Sequence, residues 1–385
     1  MLDFIRAAPG DGSRLRIGVI AAELPPEHGG MQEHALGLIS CLAADHTVLV
    51  YTSAGARGSS VPADVAVHPV LSWHASHDIA LLEQARVDAW ITLNAGAAPY
   101  SARLSAPVFA YVHGNDFTLP WLPHPDRAVR LAGTFIGPSV VQAWRRRRIG
   151  AGLRAARGVF ANSDFSRDLC ARMYGIAPSR IRVVPPGMRS EFFRSEDCPP
   201  ARKLRLVSVS RLAAHAPRKN IDGVIEAVAL LRHEIDISYT IIGDGDDLAR
   251  LRKLAIQLGV AQDVHFLGAV DTSGVIDAFC HSDVFIMAVK PSGVDVEGFG
   301  MVFAEAAATG LPSIGARIGG IPEVIEDGVT GLLLDDVSAA GIAEGLRAFY
   351  RRRQDFDRDR IRIKAQRFSA FNCTAMIAET IASAI

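Results

Sequence analysis

Lysine is scarce in this chain, which has 5 Lys against 36 Arg, so a lysine at a motif position carries weight. Cysteine is scarce too. The 5 Cys are odd in number and none forms a CxxC, which argues against a disulfide framework or a structural zinc site and for a reducing compartment. Net charge is absent, with 41 basic and 41 acidic residues. That excludes a protein whose main work is coating nucleic acid, because such affinity comes from neutralising phosphates. It also excludes a charged disordered tail as the main feature. No run approaches the roughly 18 apolar residues of a membrane span. Asp3 and the short first apolar run, closed by Glu23, do not fit a signal peptide. These absences lead us to expect a cytoplasmic protein. What remains is an ordinary globular mix, 49% apolar and 21% charged, and 385 residues suffice for two domains.

Short apolar runs alternate with amphipathic segments throughout. Residues 15–22 (LRIGVIAA) read as a buried parallel strand, followed by a Pro/Gly loop over 24–30 and a helix to about residue 44. Further strands are expected over 46–53, 64–70, 88–93, 107–113 and 159–162, with a basic helix over 139–157 and another helix over 164–174. An irregular, proline-bearing stretch then runs from Val184-Pro-Pro-Gly to Pro200. A second series opens with residues 204–210 (LRLVSVS) and continues with strands over 237–243, 264–267, 284–288 and 312–315. Helical patterns separate these strands, and three more follow residue 334. The expected architecture is α/β, with two doubly wound Rossmann-like domains facing across a cleft. The expected boundaries are 1–190 and 191–365, with a last helix over 366–385. In such sheets ligands bind beyond the carboxyl ends of the strands, so residues just after strands are the candidates.

Residues 295–305 (DVEGFGMVFAE) follow a strand and open a helix. Glu297 and Glu305 lie eight apart with Gly298 and Gly300 between them; on one helix they would be about 12 Å apart along its axis, too far for an acid–base pair. Contacts to different parts of an elongated ligand suit that spacing, with exposed N–H groups at the helix start open to an anion or a sugar hydroxyl. A helix start with a favourable dipole carboxylate explains the segment equally well in isolation. Arg211 ends a strand and Lys219 starts a helix, and together they suit a diphosphate, though two solvated surface cations would look the same. Gly29-Gly30 allows close backbone approach, or merely a tight turn. His113 ends a strand, where a substrate contact and a structural histidine are both open. Asp244-Gly-Asp246 resembles a metal pair but reads as a strand-to-helix turn whose aspartates cap the next helix. No metal and no other cofactor is expected. Arg145–Arg148 form a basic helix face, either solvated or drawn to anionic lipid headgroups.

Taken together, GGMQEHALGL, YVHGNDF, VFANSDFSRDL, IRVVPPGM, SRL…RKN, IIGDGDDL, VHFLG, DVEGFGMVFAEAAATGLPSIG and GGIPEVIEDGVTGLLL occur in the order seen in retaining glycosyltransferases of the GT-B fold, family GT4, and the chain resembles that family over nearly its whole length. The resemblance implies that Arg211 and Lys219 bind a donor diphosphate and that Glu305 holds the ribose hydroxyls. Glu297 would face the transferred sugar, beside the backbone of Phe299, Gly300 and Met301. His113 would line the sugar subsite, Gly29 and Gly30 would approach the donor, Gly268 with its neighbours would lie near the base, and the last helix would cross back onto the first domain. Pro186 stands where the family commonly has Asn, Asn220 where Gly usually follows the lysine, and Arg218 is a rival for the role of Lys219. The DVEGFG wording is similar to that of mannosyltransferases. GDP-mannose is therefore the expected donor, with UDP-glucose or UDP-N-acetylglucosamine as alternatives, and the acceptor is lipid-linked, a glycan or a small molecule. A sugar-nucleotide epimerase on the same fold and a catalytically silent sugar-nucleotide binder are the competing readings.

Overall fold

A computed structural model describes residues 14–22, 24, 29–53, 61–73, 75–119, 138–193, 202–214, 217–293 and 295–385. Parts of the loop over 24–30, of the stretch reaching Pro200 and of the loop between Arg211 and Lys219 lie outside the described residues. The chain divides into two compact units. One comprises Met1–Ala161, Cys170–Gly187 and Cys373–Ile385; the other comprises Asn162–Leu169 and Met188–Asn372.

The first unit is built on a parallel sheet of β1 (Arg16–Ile20), β2 (Thr47–Ser53), β3 (Ala66–Leu71), β4 (Ala89–Thr92), β5 (Val108–Val112), β6 (Gly158–Ala161) and β7 (Ile181–Val183). Their order is β3-β2-β1-β4-β5-β6-β7. Central strands read as unbroken apolar runs because helices cover both faces: every residue of β4 and β5 is buried. Edge strand β3 is largely open and tolerates Pro69, which would remove a ladder donor from a central strand. Ile377 and Ile381 of helix Ala370–Ala382 pack with Ile17, Val50 and Val184 in this unit's core. Arg182 fixes that helix through Glu379, 2.9 Å away.

The second unit repeats the plan with β8 (Leu204–Val209), β9 (Ile237–Ile242), β10 (Val264–Gly268), β11 (Val284–Met287), β12 (Ser313–Ala316) and β13 (Gly331–Leu334), in the order β10-β9-β8-β11-β12-β13. Here the outgoing and returning chains pair: Met188 N–H donates to Phe368 O at 2.6 Å, and Ala370 N–H to Met188 O at 2.8 Å. Strands β7 and β13, of three and four residues, are too short to show a period in the sequence. Asn162–Leu169 belongs to the second unit, against the boundary expected near residue 190.

In each sheet the strand order reverses beside the first strand, between β1 and β4 and between β8 and β11. Loops leaving those neighbours diverge and open a crevice at the carboxyl edge. The loops after β8 and β11 carry Arg211, Lys219 and Glu297.

Candidate functional site

The loop after β8 is seated by two glycines of the GDGDD segment. Gly243 and Gly245, at φ 131° and 154°, lie so close to the chain that a Cβ would fall 1.9 Å from Ser210 O and 2.1 Å from Leu212 O. No other residue fits that approach. Leu212 N–H donates to Asp244 O and Asp247 N–H to Leu212 O, both at 2.9 Å, so Arg211 projects, exposed, from a fixed loop. The aspartates do not cap the following helix, Leu248–Gln257, as expected. Asp246 accepts the backbone N–H of Ala214 at 2.7 Å, Asp244 accepts that of Gly245 at 2.7 Å, and Asp247 pairs with Arg250. The loop must fold back on this turn, and its N–H groups lie nearer than those of the helix.

Lys219 closes a short turn, Pro217–Lys219, just before helix Ile221–Leu231. Asn220, where the family resemblance leads one to expect glycine, sits at φ 58° in the left-handed region, which asparagine tolerates better than most residues. Its buried amide donates to Ala288 O and Val337 O, each at 2.9 Å. The substitution keeps the glycine conformation and adds two anchors. Arg211, Lys219 and Asn220 line one small depression of about 20 Å³.

Glu297 is the centre of the site. Its side chain is only 14% exposed, and the single oxygen Oε2 accepts from Lys219 Nζ at 2.7 Å and from Arg218 Nη1 at 2.9 Å. Arg218 also donates through Nε to Asp295 at 2.6 Å. Burial raises the Glu297 pKa, but the charges of Lys219 and then Arg218 outweigh it, and the net shift is downward. Its ionised pairing therefore stabilises the native state above the ordinary carboxylate range and is lost as pH falls through the depressed value. Burial lowers the Arg218 pKa, and Glu297 and Asp295 more than restore it.

Glu297 lies in the loop after β11, ahead of helix Met301–Ala308, so the two glutamates do not share a helix. Backbone packing holds that loop. Gly319 and Gly320 leave no room for a Cβ, which would meet Glu297 O at 2.3 Å and Gly298 O at 2.2 Å. Gly320 N–H donates to Glu297 O at 2.9 Å. Ser163 Oγ donates to Gly298 O at 2.5 Å, from a helix start capped by Glu323 through Asp164 N–H and Phe165 N–H. Gly300 caps helix Met301–Ala308 at φ 89°, and the Phe299 ring is buried 5.4 Å from that of Phe368. Glu305 stands half-buried on the helix itself. Gly268 ends β10 at φ 74° with open space around it. Asp295 and the bracing role of Gly319-Gly320 escaped the sequence reading. The doubled glycine of GGIPE was the available signal.

In the first unit, Gly29 is extended and Gly30 begins helix Gly30–Asp45. Because its φ of 169° is ordinary extended backbone, Gly29 is there for space, next to the Gln32 side chain. His113 follows β5. Its backbone N–H donates to Asp116 at 2.9 Å, and Nε2 lies 3.0 Å from Leu93 O, so that nitrogen carries the hydrogen. Burial lowers the His113 pKa and keeps the ring neutral against the opposing pull of Asp116. Behind it the ring of His34, buried on helix Gly30–Asp45, lies tilted 4.5 Å from that of Tyr111 and edge-on 5.4 Å from that of His113. A cavity of about 230 Å³ lies at this carboxyl edge, lined by Ala21, Ala22, Met31, Leu93, Asn94 and Asp116 among others.

Among the described residues no cluster of His, Cys, Asp and Glu could hold a metal ion, and no helix is long and apolar enough to cross a membrane.

The family model for glycosyl transferases group 1 matches residues 190–368, and that for Glycosyltransferase Family 4 matches residues 28–192. A GDP-mannose-dependent alpha-(1-6)-phosphatidylinositol monomannoside mannosyltransferase of Mycobacterium tuberculosis is 30% identical over 372 residues, covering 86% of this chain and 88% of its own. The protein of that name from Mycolicibacterium smegmatis is 28% identical over 358 residues, covering 85% and 87%. Among solved structures, Anabaena HepE in complex with UDP superposes with a TM-score of 0.74 at 20% identity, over 96% of this chain and 100% of that one. That likeness is one of fold. The chain is a hexosyltransferase by class and belongs to the GT4 family of GT-B-fold glycosyltransferases.

Proposed function

We propose that this enzyme transfers mannose, with retention of anomeric configuration, from GDP-mannose to a hydroxyl of a lipid-linked or glycan acceptor at the inner face of the membrane. The observation that carries the reading is the convergence of Arg218 and Lys219 on Glu297 at the switch point of the second sheet. The mannosyltransferase relatives support the choice of donor.

The chemistry follows from charge. Breaking the anomeric C–O bond builds positive charge on the sugar and negative charge on the departing diphosphate. Fixed cations aimed at that diphosphate lower the barrier, and each such group is worth about 3–4 kcal/mol. Arg211 and Lys219 serve the diphosphate, together with backbone N–H groups at Gly300 and Met301. Glu297 faces the hexose, Glu305 holds the ribose and Gly268 borders the base. A metal ion has no task in this scheme. The leaving phosphate oxygen takes the acceptor hydroxyl proton while the new C–O bond forms on the face the phosphate leaves.

Membrane contact is assigned to helix Pro138–Ala155, which has no acidic residue. Val140 and Trp144, one turn apart, are 51% and 42% exposed. The Arg148 guanidinium stacks 4.9 Å over the Trp144 ring, and Arg146 donates to Thr118 O. An exposed indole among cations suits an anionic headgroup layer. Glutamine at Arg145–Arg148 should weaken cosedimentation with anionic vesicles; undiminished binding would reject this surface.

Transfer from labelled GDP-mannose, UDP-glucose and UDP-N-acetylglucosamine into lipid extract tests the main reading, with product configuration read by NMR. Incorporation from GDP-mannose with retention is expected. Transfer from a UDP-sugar alone would overturn the donor assignment, a new sugar nucleotide formed without acceptor would indicate an epimerase, and a trapped glycosyl-enzyme would contradict the same-face step.

A further inference from the structure

Lys219 and Arg218 are the cations nearest the carboxylate of Glu297, yet they are held in different ways. Lys219 has one bond to that carboxylate, on a flexible stem 25% exposed. Arg218 is 13% exposed and tied on two sides: Nη1 to Glu297, Nε to Asp295. Its backbone is tied as well, since Lys290 N–H donates to Arg218 O at 2.7 Å. Both cations address Oε2 of Glu297; Oε1 has no hydrogen-bond donor among the described residues. The carbonyls of Glu297 and Gly298 are pinned by Gly320 and Ser163, so the side chain can turn only about its own bonds.

A diphosphate and Glu297 therefore compete for the same ammonium group. Lysine, a compact point charge with rotatable donors, exchanges partners readily, whereas an arginine held by two carboxylates does not. We propose that Glu297 is the resident counter-ion of the diphosphate site. The incoming diphosphate takes Lys219 from it, and Arg218, clamped by Asp295, keeps the carboxylate in place with Oε1 available to the hexose hydroxyls. Arg218 and Asp295 are thus positioning residues, which the similarity of Arg218 to a second phosphate ligand had hidden. This deepens the functional reading above and rests on its assignment of Lys219 to the diphosphate.

The consequence is opposite in sign for two ligands. Removing the Glu297 charge frees Lys219, so nucleoside diphosphate without a sugar should bind tighter, while transfer should fail. Calorimetry with GDP, and separately with inorganic pyrophosphate, on the full chain and on Glu297→Gln, Asp295→Asn and Lys219→Met reads this directly. Glu297→Gln should tighten GDP roughly five- to tenfold, the worth of a partly screened ion pair, with kcat for transfer sharply reduced. Asp295→Asn should lower kcat and leave GDP affinity equal or higher. In a Lys219→Met background, Glu297→Gln should no longer tighten GDP. Unchanged or weaker GDP binding by Glu297→Gln would overturn the exchange. Lys219→Met binding GDP as well as the unaltered protein would instead overturn the site assignment beneath it. Should a variant not fold, the unaltered protein still decides the matter. It has only 5 Lys, so lysine side-chain NMR can follow Lys219 as GDP is added. A shift confined to Lys219 supports exchange, and no shift at saturation refutes it.

Discussion

Four glycines separate the physical costs of a side chain around the proposed site. At Gly293 a Cβ meets open space and φ is ordinary; at Gly268 the space is open but φ is 74°. Gly320 has an ordinary φ of −85°, yet its Cβ would lie 2.2 Å from Gly298 O. Gly319 combines φ 57° with a contact at 2.3 Å. Alanine at Gly293 should be neutral, or stabilise by up to about 0.5 kcal/mol through the unfolded chain. At Gly268 the left-handed backbone costs about 1–2 kcal/mol. At Gly320 the main chain of Gly298 must retreat by about 0.8 Å or more, which breaks the bond from Gly320 N–H to Glu297 O. That bond is worth about 1 kcal/mol, and forced overpacking adds about 1–3 kcal/mol. Gly320→Ala should therefore cost about 2–4 kcal/mol and Gly319→Ala about 1–2 kcal/mol more. In a unit of this size each kcal/mol moves the melting temperature by about 2–4 °C. Differential scanning calorimetry on the four variants, with kcat measured beside it, should rank them Gly293, Gly268, Gly320, Gly319. The last two should lose kcat beyond what stability explains, because they move Glu297. Equal melting temperatures, or full activity in Gly320→Ala, would refute the idea that backbone contact sets the position of that carboxylate.

Two further outcomes test the frame. Glu323 caps the helix Asp164–Tyr174 from a distant element, so Glu323→Ala should cost about 1 kcal/mol in denaturant unfolding. Burial raises its pKa despite the N–H bonds from Phe165 and Asp164, so the native state holds that proton more tightly than the unfolded chain. Its contribution to stability should decline as pH rises from the ordinary carboxylate range through the raised value, and Glu323→Gln should flatten that slope in a pH series of melts. At position 220, alanine loses two amide bonds and keeps the left-handed strain, while glycine loses only the bonds. Asn220→Ala should be less stable than Asn220→Gly by about 1 kcal/mol, and the reverse order in chemical denaturation would contradict the strain argument.

Much of the architecture was legible because parallel strands buried on both faces, such as VFAYV and VFIM, must be continuous apolar runs. The order of glycine-rich loops after those strands placed Arg211, Lys219 and Glu297 at one sheet edge. What stayed illegible is non-local. Nothing in DVEGFG says that its carbonyls rest on Gly319-Gly320 and Ser163, and nothing in PRKN says that Arg218 turns to Asp295. That residues 295–305 open a helix was legible, and the left-handed Gly300 starts it after Glu297. The GDGDD aspartates were read as caps because periodicity cannot reveal a neighbouring loop that reaches them first.

The central claim is that cations of the second unit, rather than a divalent ion, hold the donor diphosphate. It is tested most directly by the rise in melting temperature that GDP-mannose induces, measured in excess chelator on the unaltered protein, Arg211→Met and Lys219→Met. The account predicts a full shift with chelator present and its loss in both variants. A shift that requires a divalent ion, or that survives intact in both variants, would contradict it.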